Sequence, residues 1–159
     1  MSDGGIDELG INARGPQSRD HARRYIESGG ADGALDPDGR ACLLLVTRGR
    51  RSGAPRRNVL LYAADGDAYV VAGSRGGDDQ HPHWYLNLVA DQHVEVWVGT
   101  DRFSAVAQTV TGVERDRLWP LMTAIMPQYD DFQAKTTRVI PVVVLERRPG
   151  TSTDRATEP

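Results

Sequence analysis

Lysine is almost absent from this chain. Lys135 is the single lysine among 19 basic residues, and the rest are arginines. That skew runs through the whole sequence, so one arginine says little, whereas a cluster says more. The net charge is −3, which excludes the broad basic face of a general nucleic-acid binder. Cysteine occurs once, at Cys42. It cannot form an internal disulfide, which fits a reducing compartment, and beside an apolar strand it reads as a small buried residue. No apolar run approaches the roughly 18 residues that span a bilayer. There is no signal-peptide core, and Arg23-Arg24 lacks the apolar stretch of a twin-arginine signal, so a cytoplasmic protein is expected. Neither Gly-x-Gly-x-x-Gly nor Gly-x-Ser-x-Gly occurs, so the dinucleotide fingerprint and the hydrolase nucleophile elbow are not indicated. His81 and His83 flank Pro82, His21 and His93 are isolated, and no cysteine or carboxylate cluster completes a ligand set, so no metal site is expected.

The densest chemistry lies in Thr47–Arg57. Five arginines fall within eleven residues with no acid among them, and two glycines, a serine and a proline sit between the charges. Apolar segments on either side make this a basic turn between strands. Such a turn offers guanidinium forks and backbone N–H groups to an anion; a solvated hairpin tip is the competing reading. A second glycine-rich turn, Gly73–Gly77, precedes a helix opened by His81-Pro82. If the flanking strands are neighbours, the two turns hold one extended polyanion. Trp84, Tyr85 and Asn87 follow the second turn and can border a planar ring, with core packing as the alternative. Tyr129 lies in a polar segment, residues 127–138, and from its surroundings alone reads as a surface tyrosine.

A chain of 159 residues fits one domain. Residues 1–17 and 148–159 are polar and expected to lack order, leaving 18–147 as the domain. Strands are expected at 43–47, 57–64, 68–73, 93–98, 102–110 and 139–146, with Asp65-Gly66-Asp67 as a hairpin turn. Pro141 predicts an edge or bulge for the last strand. Helices are expected from Ser18 or Asp20 to Glu27, over 81–90, and after Thr111. There Thr111 and Glu114 form a capping box, and Pro120 bends or breaks the helix. Six strands joined mostly by tight turns, with no βαβ alternation, predict an α+β fold: an antiparallel barrel or curled sheet with inserted and flanking helices.

In order along the chain, Leu43-Leu44-Leu45, Thr47–Arg56, Gly73-Ser74-Arg75-Gly76-Gly77, His81-Pro82-His83-Trp84-Tyr85-Leu86-Asn87-Leu88 and Ile140–Glu146 together resemble the deazaflavin-dependent nitroreductase and quinone reductase family. The resemblance covers about residues 18–147. It implies a six-stranded split β-barrel and coenzyme F-420, a deazaflavin with a phospholactyl-oligoglutamate tail; FMN is the less favoured cofactor. It implies cofactor contacts from Arg50, Arg51, Ser52, Gly53, Pro55 and Arg56, with Arg51 and Arg56 on the anionic tail. Further contacts are implied from Gly73, Ser74, Arg75, Gly76, Gly77, Trp84, Tyr85 and Asn87. Met126, Tyr129 and Phe132 fall on the substrate side, and Ser74 and Tyr129 are the candidates for contact with the reacting centre. The implied reaction is hydride transfer to a quinone, nitroaromatic or enone, at the membrane surface if the acceptor is a membrane quinone. Only Tyr129 remains where nitroimidazole-reducing members carry several tyrosines, which disfavours nitro reduction. A non-catalytic F-420 or FMN carrier and an FMN-dependent oxidase-like barrel are the alternatives, and a homodimer is compatible with the resemblance.

Overall fold

The computed structural model describes residues 9–13 and 15–149. The expected tails at 1–17 and 148–159 fall mostly outside them. Helix α1 spans Pro16–Glu27, then come strands β1 (Cys42–Arg48), β2 (Pro55–Leu61), β3 (Ala63–Asp65) and β4 (Ala68–Ala72). Helix α2 (His83–Ala90), β5 (His93–Val98), β6 (Asp101–Val110), α3 (Gly112–Ile125), α4 (Gln128–Lys135) and β7 (Val142–Arg147) complete the chain.

The strands form one antiparallel sheet in the order β2-β1-β5-β6-β7-β4-β3. Its two ends, β2 and β3, are joined through the single residue Tyr62, so the sheet must curl until its edges meet there. The stretch expected as one strand over 57–64 is therefore divided. Its first part pairs with β1 and its last part with β4, and counting it once or twice gives six strands or seven. β3 pairs only with Ala68–Val70. Beyond that point Val71 and Ala72 of β4 pair only with β7, and the curled sheet stays open between β4 and β2.

Both faces of the sheet are covered. Inside the curl, Leu43, Leu45, Val96, Phe103, Val143 and Leu145 pack with Trp84 and Leu88 of α2. Outside, Leu44, Val46 and Trp97 pack under Tyr25 of α1, and Val70, Ala72 and Val142 pack under Leu118, Met122 and Tyr129 of α3 and α4. This explains the uninterrupted apolar run of β1, which is buried on both sides.

Several local expectations are corrected. Residues 9–13 lie along the outer edge of β2: the Arg57 N–H donates to the Gly10 carbonyl, the Asn12 N–H donates to the Arg57 carbonyl, and Asn58 Nδ2 donates to the Asn12 carbonyl. The capping box does not form. Thr111 makes no side-chain cap, because Glu114 pairs instead with Arg117, which also grips Asp65. α3 is not broken at Pro120 but continues over Gly112–Ile125, with Leu118 and Met122 packed on the sheet. The polar segment at 127–138 contains a helix, α4, whose amphipathic stripe is too short to read from sequence. β7 is an interior strand. Pro141 sits one residue before it, where a missing N–H costs no ladder bond, and its carbonyl accepts from the Gly73 N–H.

Tyr25 ties α1 to the sheet. Its hydroxyl lies within hydrogen-bond reach of the Cys42 and Trp97 carbonyls at 3.1 and 3.0 Å, and accepts from the Gly99 N–H at 2.8 Å. Burial pushes its pKa up to about 12, so it stays a neutral donor. Tyr25→Phe leaves buried backbone groups without their partner and is expected to cost about 1–3 kcal/mol, read as a lower urea midpoint with an unchanged slope.

Candidate functional site

The opening between β4 and β2 is a cavity of about 590 Å³. Residues 58–61 of β2 form one wall, and Ala72, Ser74, Arg75 and Gly76 form the other. Pro82, His83 and Trp84 line it from the start of α2, and Met126 and Tyr129 from the α3–α4 corner. Beside it is a cavity of about 310 Å³ lined by Gly49, Arg50, Arg51, Ser52, Arg56 and Asn87 of the basic turn and α2. Asn12 and His83 belong to both linings. No carboxylate lines either cavity among the described residues, although the chain as a whole is acidic. A third cavity of about 340 Å³ opens under α1 and shares Val59 and Leu61 with the largest. Cys42 lines it, but burial pushes that thiol up to about 12, so it is unreactive at neutral pH.

The basic turn is held by a buried amide. Asn87 Oδ1 accepts from the Arg50 backbone N–H at 3.2 Å and from Arg50 Nη1 at 2.8 Å, while Asn87 Nδ2 donates to Thr47 Oγ1 at 3.1 Å. Asn87 thus fixes where the arginines stand. Arg56 Nη2 donates to Ser52 Oγ at 3.2 Å and Nη1 to the Pro55 carbonyl. Among the described residues, no acid pairs with Arg50, Arg51 or Arg56. Three guanidinium groups around one cavity can together take an anion.

The glycine-rich turn has a strained backbone, and Arg138 holds it there. Arg75, Gly76 and Gly77 take φ of 46°, 64° and 83°. The left-handed region is costly for a residue with a side chain. Gly77 has no alternative, since a Cβ there would sit 2.9 Å from the Phe132 carbonyl oxygen. Arg138 clamps the turn: Nε donates to the Asp78 carbonyl at 2.7 Å, Nη1 to Gly73 at 3.1 Å and Nη2 to Ser74 at 2.7 Å. Gln133 in turn donates to the Arg138 carbonyl and accepts from the Ile140 N–H. One arginine among so many carried no signal in the sequence, because its partners are carbonyls that lie some 60 residues away along the chain.

The candidate residues therefore separate into two groups. Arg50, Arg51, Ser52, Arg56 and Asn87 line the basic cavity, and Ser74, Arg75, Gly76, Trp84, Met126 and Tyr129 line the larger one. Gly53, Pro55, Gly73, Gly77, Tyr85 and Phe132 line neither. Tyr85 donates to or accepts from Thr109 Oγ1 at 2.9 Å and packs on the inner core. Phe132 packs edge-on behind Tyr129. Tyr129 is 5% exposed, which corrects its reading as a surface tyrosine, and burial pushes its pKa up to about 12. It is a neutral hydroxyl donor at physiological pH.

A family model described as F-420H(2)-dependent quinone reductase matches residues 17–147. This chain belongs to that family. An F-420H(2)-dependent quinone reductase of Mycobacterium tuberculosis is 41% identical over 131 residues, covering 80% of this chain and 88% of the relative. A solved structure of an F-420-H2 dependent reductase is 35% identical with a TM-score of 0.62, covering 66% of this chain and 93% of that one. Another, described as a domain-swapped dimer, is 34% identical with a TM-score of 0.65, covering 80% and 96%. The haem storage protein HutZ of Vibrio cholerae, 14% identical with a TM-score of 0.56 over 82% of this chain and 92% of that one, shares the fold alone.

The Arg138 clamp generates a pH prediction. Its Nη1 faces His81 Nδ1 at 3.1 Å, so His81 accepts there and is neutral. Burial, then the Arg138 charge, holds the imidazole below its ordinary value. The unfolded chain therefore binds this proton first, and stability is lost as pH falls below about 6.5. In His81→Gln that part of the acid loss should disappear, and in Arg138→Met it should shrink alongside a loss of about 1–3 kcal/mol at neutral pH. Urea midpoints measured from pH 5 to 8, as an order-of-magnitude window around the histidine range, decide it.

Proposed function

We propose that this chain binds reduced coenzyme F-420 across the two cavities and reduces a quinone. The observation that carries the reading is the carboxylate-free, three-arginine cavity joined at His83 to a larger, partly apolar cavity, in a member of this family. A planar ring with a long anionic tail fits that pair, because each guanidinium can take a tail carboxylate bidentately. FMN, with one phosphate, would leave most of the arginine cavity unused.

The deazaflavin, when bound, supplies the hydride. The chain's own residues supply position. Trp84 and Pro82 border the ring at the start of α2, and the Gly73–Gly77 turn lies along it. Arg51 and Arg56 hold the tail, with Arg50 oriented by Asn87. Tyr129 presents a hydroxyl toward the acceptor from the opposite wall, and Ser74 is the second hydroxyl within the cavity. At a pKa of about 12, Tyr129 donates a hydrogen bond to an acceptor carbonyl and keeps its proton, so the acceptor's proton comes from solvent. Ring contact suffices to hold a quinone. A nitro group gains more from several donors as charge develops, and Met126 contributes none, so nitro reduction is the weaker activity. No helix among the described residues is long and apolar enough to cross a membrane. The reading places the chain in the cytoplasm, alongside the membrane where the quinone is a membrane one, and the domain-swapped neighbour favours a homodimer.

Two outcomes test this. Absorbance titration should show F-420 binding more tightly than FMN, with affinity falling as salt rises. Arg51→Ala or Arg56→Ala should each weaken F-420 about tenfold, within the ~1.5–3 kcal/mol of a charge-assisted hydrogen bond, without unfolding the chain. Equal, salt-independent binding of F-420 and FMN would contradict the assignment.

Steady-state oxidation of reduced F-420 should proceed with menadione and be weak or absent with a bicyclic nitroimidazole. Tyr129→Phe should lower quinone turnover a few-fold, in the range of about one hydrogen bond, at unchanged F-420 affinity. Met126→Tyr should raise nitroimidazole turnover more than quinone turnover. F-420 binding with no turnover of any quinone would reduce the chain to a carrier.

A further inference from the structure

Residues 9–13 lie ahead of residue 17, where the family match begins, and they are pressed onto the outer edge of β2. Ile11 meets Arg57 in a parallel bridge and is fully buried. The Arg57 N–H donates to the Gly10 carbonyl at 2.7 Å, and the Asn12 N–H donates to the Arg57 carbonyl at 3.1 Å. Arg57 Nη1 donates to the Leu9 carbonyl, and Asn58 Nδ2 to the Asn12 carbonyl at 2.6 Å. The approach is so close that a Cβ on Gly10, at a φ of 73°, would sit 2.4 Å from the Pro55 carbonyl oxygen, so glycine is required there. The edge of β2 thus carries a short strap. Asn12 is anchored through both its backbone N–H and its backbone carbonyl, so its side-chain amide is not what holds the strap in place.

Asn12 lines all three cavities. It therefore stands at the neck between the arginine cavity and the larger one. On the arginine side of that neck the guanidinium groups can donate but not accept. On the other side Leu60, Pro82, Trp84 and Met126 offer apolar surface. A carboxamide differs from both, since its oxygen accepts while its NH₂ donates. Asn58 brings a second amide to the same wall, and its Oδ1 is a buried acceptor with no donor. The neck is therefore furnished for a neutral group that both donates and accepts.

We propose that Asn12 is a ligand for the polyol linker of F-420, its amide bonded to the ribityl hydroxyls where they cross from the larger cavity to the basic one. This rests on the reading that F-420 spans both cavities. A molecule with its ring on one side and its carboxylates on the other puts its neutral linker at the neck. Hydroxyls there donate and accept, so a carboxamide answers them in either sense, which a guanidinium or an apolar wall cannot do. The strap delivers the amide on a backbone already fixed to β2, and a fixed partner loses less freedom on binding. The cofactor site thereby extends to a segment outside the family match.

The test is a titration of three ligands: F-420, the ribityl deazaflavin without the phospholactyl-glutamate tail, and a deazaflavin with a methyl group in place of the ribityl chain. Each is titrated into the wild type, Asn12→Ala and Asn12→Leu. Leucine keeps much of the volume of asparagine without a donor or acceptor, so equal losses in the two variants report hydrogen bonding rather than shape. Both variants should weaken F-420 and the ribityl compound by the same several-fold factor, as for a neutral hydrogen bond. The methyl compound should bind all three proteins alike. The salt dependence of F-420 binding should be unchanged, because no charge is removed, and so should the urea midpoint, because the backbone anchors remain. Unchanged F-420 affinity in both variants overturns the proposal, as does a loss confined to F-420 or one that extends to the methyl compound. Failure of the wild type to bind F-420 overturns the two-cavity reading itself, and this inference with it.

Discussion

The architecture depends on one covalent constraint: β2 and β3 lie at opposite ends of the sheet order yet are separated by Tyr62 alone. A sheet whose two edges are tied together by one residue cannot stay open, so it curls around an apolar filling closed by Trp84 and Leu88. β3 is too short to seal the seam. Past Asp65↔Ala68 and Ala63↔Val70 its pairing ends, and the gap left between β4 and β2 is the cavity of about 590 Å³. The site is thus where the closure of the sheet is incomplete, and its walls are strand edges whose separation the rest of the sheet fixes. Such a wall is stiffer than a loop, which suits a reaction that depends on alignment.

Two polar clamps, one buried and one partly buried, then give the gap its chemistry. Asn87 secures the arginine turn through Arg50 and Thr47. Arg138 secures the left-handed turn at Arg75–Gly77 through three carbonyls. Asn87 spends its hydrogen-bonding capacity on Arg50 and Thr47, and Arg138 spends its own on three carbonyls and His81. That leaves Arg51, Arg56, Ser74 and Tyr129 facing cavities rather than the fold. The division explains why a chain of net charge −3 concentrates positive potential at one place. Acids elsewhere are paired with arginines of their own, as Asp36 with Arg40, Asp65 with Arg117 and Asp101 with Arg147.

Much of this was legible in the sequence because it was local. Alternation and turn residues located the strands, and the uninterrupted Leu43–Val46 run signalled a strand covered on both faces. The five clustered arginines pointed to an anion, and the ordered motifs pointed to the family. What was not legible depended on partners remote in sequence. Arg138 looked like one arginine among many until the carbonyls of Gly73, Ser74 and Asp78 surrounded it. Tyr129 read as exposed because α4 could not be seen to fold onto β4 and β7. Thr111 and Glu114 matched a capping box, but Arg117 and Asp65 formed a stronger charged pair. Tyr85 and Phe132 carried the right chemistry for a cavity and were taken by core packing instead, one held by Thr109 and the other behind Tyr129.

The central claim is that two cavities hold one molecule, the larger its ring and the basic one its tail. Comparing F-420 with the ribityl deazaflavin that lacks the phospholactyl-glutamate tail measures this most directly. The account predicts that removing the tail weakens binding by about tenfold or more, as expected when one or more charge-assisted contacts are lost, and abolishes most of the salt dependence. Tail-less deazaflavin binding as tightly as F-420, with the same response to salt, would contradict it.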